Sequence, residues 1–353
     1  MSLVMFDLRL NYPLIGEEAA LIEHCIHSMP SNELEQRLLL PSWSGALQDR
    51  VLAAQWLGLS GEESISICMS AHHALIALAF AAELRGATIV TEDYTYPGFK
   101  AIADLFEIGL LPCETDAYGL VPDALKALCA QHSARALYIQ PTIHNPLGIL
   151  MPLQRRQEIA DLAQRYGLFI IEDDAYRFLA KDAPARFYDL VPQQTAFIMS
   201  LTKPVSPALK IAYLLAPPQL APALATAIRL TSSGASALLS GVASKLIHEG
   251  LIDQLIRRKR QEAAVRQIAA KQILVDLSLQ SHSTSYHIWL RLPEGLQAPQ
   301  LERALRKHDV AIVSGEEFAV EQHKGSQYIR IALGGEAEQL RLEQGIRLLK
   351  EAL

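Results

Sequence analysis

The sequence predicts an α/β fold: a large domain on a mostly parallel sheet between helices, followed by a smaller α+β domain. Three observations carry this reading. From about residue 64 to 216, short apolar runs without alternation recur, the mark of strands covered on both faces. Amphipathic helical stretches separate these runs, so the strands connect by crossovers and lie parallel. After residue 230 the pattern changes to short strands mixed with helices. The 353 residues also suit about two domains.

In chain order, residues 1–40 read as an N-terminal segment with one helix at Glu17–His27, packing near the small domain. Residues 41–245 are assigned to the large domain. Its expected strands are Ser64–Met69, Ala87–Thr91, Ala136–Gln140, Leu168–Ile171, Ala196–Met199 and Ile211–Leu215. Leu153–Tyr166 is an expected helix, with Ile159, Leu162, Ala163 and Tyr166 at helical spacing and Gly167 as the stop. Residues 230–275 read as one long helical stretch joining the domains. The small domain, 246–353, then offers a strand at Tyr286–Leu292, a helix at Gln300–Lys307, strands at Val310–Val313 and Tyr328–Leu333, and a closing helix from Glu336.

Composition excludes several function classes. Apolar residues make up 50% and charged residues 20%, which argues against disorder. The net charge of −6 is scattered, and the one basic run, Arg257–Arg260, is expected to be a solvated helix face. Nucleic-acid binding is therefore not indicated. Asp7 and Arg9 interrupt the first apolar residues, so no leader peptide is expected. The longest apolar run, Ala74–Ala82, is about half of what a membrane span needs. Four cysteines, Cys25, Cys68, Cys113 and Cys129, stand far apart, which predicts neither a disulfide framework nor a zinc site. A cytoplasmic protein without membrane contact is expected.

The usual fingerprints of dinucleotide binding, phosphate loops and hydrolase nucleophiles are absent. His72 and His73 are neighbours on an expected helix, point about 100° apart, and so do not chelate one metal ion. Three loops that follow expected strands are more informative, since ligands of open α/β sheets collect at carboxyl ends. They are Pro141–Gly148 (PTIHNPLG), Glu172–Tyr176 (EDDAY) and Ser200–Pro204 (SLTKP). Together they bring an amide, a carboxylate, a phenol, hydroxyls and an amine to one rim. Such a set suits Schiff-base chemistry with an aldehyde cofactor, pyridoxal phosphate. That cofactor requires an amine, a carboxylate for its ring nitrogen, donors for its phenolate oxygen and an anion site. Lys203, Asp173, Asn145 with Tyr176, and Ser200 with Thr202 offer these groups.

In these motifs the sequence resembles fold-type I pyridoxal-phosphate enzymes of the aspartate aminotransferase superfamily, class I/II. It is most similar to the aminotransferase-like domain of MocR-type regulators without the DNA-binding domain. The resemblance covers nearly the whole chain and implies a seven-stranded large-domain sheet. It makes Lys203 the Schiff-base lysine and pairs Asp173, three residues before Tyr176, with the pyridine nitrogen; Asp174 is the adjacent competitor. Asn145 and Tyr176 bond the phenolate oxygen, while Ser70, Ala71 and His72 open the helix that cups the phosphate. Tyr96 matches the aromatic that stacks on the ring, and Arg330 matches the arginine that takes the substrate α-carboxylate.

The chain also departs from that pattern. Lys210 stands where an arginine usually meets the phosphate, and His72 and His73 replace paired amides. A glycine usual near Ser70 is missing, and Leu40 matches a tyrosine that reaches a partner subunit. The resemblance implies an aminotransferase acting on an L-amino acid and a 2-oxo acid, as a homodimer. The alternatives are a lyase or decarboxylase with the same cofactor, or a weakly catalytic effector module that binds it. The pocket is expected to take in Asn11–Pro13, the Trp43–Gly45 region and the partner subunit.

Overall fold

The apolar runs pair because each buries both its faces between helices. The structure, a computed structural model, describes residues 6–59 and 65–353. Ser64, the first residue of one expected strand, and the first five residues of the chain lie outside the described residues. The large sheet comprises β1 (Ile65–Cys68), β2 (Thr88–Glu92), β3 (Gly109–Cys113), β4 (Ala136–Ile139), β5 (Phe169–Asp173), β6 (Thr195–Ser200) and β7 (Ala212–Leu215). Its order is β1-β7-β6-β5-β4-β2-β3, and only β7 runs antiparallel to its neighbours. Six strands therefore end on one rim. All six expected runs are strands within a residue or two; β3 was not anticipated. Gly109 and Pro112 disguise it, and its edge position is what tolerates a proline.

The single helical stretch expected over 230–275 is instead three helices, Ala221–Ser232, Ala237–His248 and Leu251–Ile273. Ser233 and Gly234 break the first junction and Gly250 the second, each with φ between 57° and 102°. The expected strand Val310–Val313 is also divided. Val310–Ala311 pairs in parallel with Phe6–Asp7, tying the N-terminal segment down. Val313–Ser314 joins a separate antiparallel sheet with Leu279–Gln280, His287–Arg291 and Tyr328–Ala332. The N-terminal segment holds two helices, Glu18–His27 and Ser31–Arg37, where one was expected.

The basic run is only half a solvated face: Arg257 and Arg258 are exposed, while Lys259 and Arg260 turn inward. Lys259 is wholly buried beside Glu18, Arg258 pairs with Glu17, and Arg260 donates to the Phe178 carbonyl. The partners of Arg258, Lys259 and Arg260 lie outside the helix, so these three tie it to the N-terminal segment and to the turn after β5. Among the described residues no helix is long and apolar enough to cross a membrane, and no cluster of side chains could hold a metal ion. All four cysteines are unpaired.

Candidate active site

At the carboxyl rim of the large sheet lies a cavity of about 240 Å³. Its lining includes all twelve candidate residues: Ser70, Ala71, His72, Tyr96, Asn145, Asp173, Tyr176, Ser200, Thr202, Lys203, Lys210 and Arg330. The rim explains the convergence. Asp173 ends β5, Ser200 ends β6, and Ser70 caps the helix Ala71–Ala81 that follows β1.

Strand alternation settles which carboxylate faces the cavity. Glu172 and Asp174 share the opposite face: Glu172 sits 3.7 Å from the buried Arg156, and Asp174 accepts from Thr142 and Arg177. Asp173 Oδ2 accepts a 2.8 Å hydrogen bond from Tyr138, and its buried Oδ1 has no partner. Burial raises its pKa to about 6, against the opposing Tyr138 hydrogen bond. Asp174 also keeps an unpartnered Oδ1 but does not line the cavity.

Lys203 donates to the Asn11 carbonyl at 2.8 Å, and its Nζ lies 3.5 Å from the Tyr12 ring centroid. Burial, with repulsion from Arg330 and Lys210, lowers its pKa to about 7 despite Asp173. A good fraction of this amine is therefore neutral at pH 7, whereas a solvated lysine is almost wholly charged. Tyr176 Oη accepts from Asn11 Nδ2 at 2.9 Å, and burial pushes the phenol up to about 12. Arg330 is buried, donating to Asn145 Oδ1 at 3.0 Å and to the Arg9 carbonyl, with its Nε unpartnered.

The rim near Ser70 is built for an anion. Ser70 Oγ accepts from the His73 amide at 3.1 Å, and the first turn of the helix opens on the cavity. Ser200 and Thr202 hydroxyls lie 2.9 Å apart, and Lys210 lines the same cavity. His73 turns away, bonding Thr231 at 2.8 Å, while His72 faces in.

The N-terminal wall is Arg9, Leu10, Asn11 and Tyr12; Pro13 and Trp43–Gly45, expected there, are not part of it. Trp43 lies under Arg229, and Gly45 packs so closely on Ile67 that a Cβ would stand 2.7 Å from it. Leu40 is 80% exposed.

Several contributors escaped sequence reading. Tyr138 stacks on Phe99 at 3.7 Å and bonds Asp173, and Gln140 bridges Tyr138 to the Asn145 amide. His287 donates Nε2–H to the His144 carbonyl and accepts from Asn11; burial and Arg330 lower it to about 3, so it is neutral. Tyr138 and His287 sit in buried strands, where no motif in the sequence marks them.

The model of the aminotransferase class I and II family matches residues 4–342. The 2-aminoadipate transaminase of Thermus thermophilus is 25% identical over 86% of this chain and 78% of its own length. The HTH-type transcriptional regulator YdeF of Bacillus subtilis is 26% identical over 76% of this chain, which spans 58% of that regulator's length. Among solved structures, the α-aminoadipate aminotransferase LysN of Thermus thermophilus, complexed with N-(5'-phosphopyridoxyl)-L-leucine, superposes with a TM-score of 0.88 at 23% identity. That match covers 99% of this chain and 92% of the other. A multiple-substrate aminotransferase from Thermococcus profundus gives 0.91 at 18% identity, covering 99% and 91%. These structural likenesses establish the fold, fold-type I. With the family match across nearly its whole length, the chain belongs to the aminotransferase class I and II family of pyridoxal-phosphate-dependent enzymes.

Proposed function

We propose that the protein moves an amino group between an L-amino acid and a 2-oxo acid. The observation that carries this is the partly neutral Lys203 amine in one cavity with Asp173 and Arg330. The donor set fits pyridoxal phosphate: the buried, unpartnered Oδ1 of Asp173 is an acceptor in want of a donor, and the helix opening at Ser70 suits a phosphate. When bound, that cofactor supplies a carbonyl that condenses with amines and a protonated ring that draws electrons from the attached carbon.

Each residue then has a task. Lys203 is the amine that would hold the cofactor at its carbonyl carbon, with loss of water, and when free its Nζ would take and return the substrate α-proton. Asp173 holds the proton on the ring nitrogen, oriented by Tyr138. Asn145 Nδ2 and Tyr176 Oη would hold the ring oxygen, and Tyr96, in the same lining, would pack against the ring. Ser70, the Ala71 and His72 end of the helix, Ser200, Thr202 and Lys210 hold the phosphate. Arg330, fixed by Asn145 and the Arg9 carbonyl, takes the α-carboxylate as a fork.

The regulator YdeF among the relatives favours a second reading, the same cavity as an effector site with little turnover. Incubation with pooled amino acids and 2-oxo acids separates the readings. New amino acids support transfer; pyruvate or CO₂ alone would assign elimination or decarboxylation; no product with tight cofactor binding would assign the effector role.

The proposal extends to a cytoplasmic homodimer with residues 41–245 and 246–353 as its domains. Unpaired cysteines support the compartment. Exposed Leu38, Leu39, Leu40, Trp43 and Leu230 on neighbouring segments support a second copy, which sedimentation would detect.

A further inference from the structure

His72 is the second residue of the helix Ala71–Ala81 and lines the cavity. Its Nε2 lies 3.1 Å from Tyr96 Oη, the two rings meeting edge-on with centroids 5.5 Å apart. The contact depends on Gly98. A Cβ there would stand 2.5 Å from His72 Nε2 and 2.5 Å from Tyr96 Cε1, so a side chain at 98 would drive the pair apart. The titratable groups facing the imidazole are Tyr96 from the start of the next helix, and Lys203 and Lys210 from the segment after β6. Burial first, then the charges of Lys210 and Lys203, hold His72 below the ordinary histidine range, which favours its neutral form in the absence of an anion.

We propose that His72 is a proton-linked anion clamp, neutral in the empty cavity and protonated once a phosphate dianion is seated. This rests on reading the cavity as the cofactor site. A dianion beside the imidazole reverses the sign of the local field and favours the charged form. The Tyr96 hydroxyl accommodates the change, donating to Nε2 when the ring is neutral and accepting from Nε2–H when it is charged. A glutamine at this position would offer hydrogen bonds but no proton to take up.

Pyridoxamine phosphate is the probe, because it carries the phosphate and does not condense with Lys203. Its dissociation constant should rise between pH 6.5 and 8.5 by up to about tenfold more in the wild type than in His72→Gln, since a proton taken up on binding is harder to obtain as pH rises. Calorimetry in two buffers of different ionisation heat should show extra proton uptake in the wild type. If His72→Gln does not fold, NMR titration of the wild-type imidazole with and without the probe decides, and its pKa should rise on binding. Parallel pH profiles, or an unmoved His72 pKa, would overturn the clamp while leaving the cofactor reading intact. Failure of the probe to bind at any pH would overturn both.

Discussion

Lys203 and Lys259 are both amines withdrawn from water, and their surroundings are opposite. Lys259 is fully buried, its ammonium surrounded by the carbonyls of Pro13 (2.7 Å), Val205 (2.8 Å) and Lys203 (3.3 Å) and by the Glu18 carboxylate at 3.1 Å. Burial lowers its pKa, and Glu18 opposes that. Lys203 Nζ donates to one acceptor among the described residues, the Asn11 carbonyl, while Arg330 and Lys210 repel its charge. Burial disfavours both cations; the supply of acceptors decides which remains a structural cation and which becomes a reactive amine. The two are also joined, since Lys259 holds the Lys203 carbonyl and the Pro13 carbonyl together, and Lys203 Nζ holds Asn11. The satisfied lysine thus fixes the backbone of the poised one and of Pro13, the residue that follows the N-terminal wall.

The carboxylates repeat the contrast, and the largest expected effect lies there. Asp173→Asn should cost several powers of ten in amino transfer while retaining some cofactor, because the ring nitrogen loses the anion that keeps it protonated. Asp174→Asn should chiefly loosen Thr142 and Arg177. Near wild-type turnover in Asp173→Asn would break the distinction between the two.

Next in size is Lys259→Met, which strands Glu18 and three carbonyls without a cation. A loss of about 3–5 kcal/mol is expected in urea unfolding. Unchanged stability would show that these bonds do not hold the wall.

Lys203→Met should behave oppositely. With a folded pKa of about 7 against an ordinary 10.5, the unfolded chain binds a proton that the native protein lacks throughout that window. Wild-type stability without cofactor should therefore rise from pH 7 toward 10, and the variant should be more stable at pH 7 with a flatter rise. Thermal unfolding across that range reads the slope; parallel curves would restore Lys203 to an ordinary lysine. The smallest effect is Lys210→Ala, expected to weaken cofactor binding by about one to two powers of ten and to spare turnover at saturation. Equal dissociation constants would remove Lys210 from the site.

Much of this contrast was legible in the sequence. The unbroken apolar runs marked six of the seven strands, and the loops after them carried Asn145, Asp173, Tyr176 and Lys203. The choice of Asp173 over Asp174 rested in the sequence on the family spacing alone; which face of the strand meets the cavity shows only in the fold. Lys259 was hidden because its partners are mostly backbone carbonyls, which any residue supplies, so a basic run looked like surface. β3 was hidden by Gly109 and Pro112, residues that an edge strand accepts. Tyr138 and His287 were hidden because a lone polar side chain within an apolar strand shows its partner only after folding.

The most direct test of this contrast is chemical. The protein loaded with pyridoxal phosphate, reduced with borohydride and mapped by peptide mass should carry the cofactor on Lys203. A label on Lys259 or Lys210, or no label on any lysine, would contradict the assignment of the poised amine.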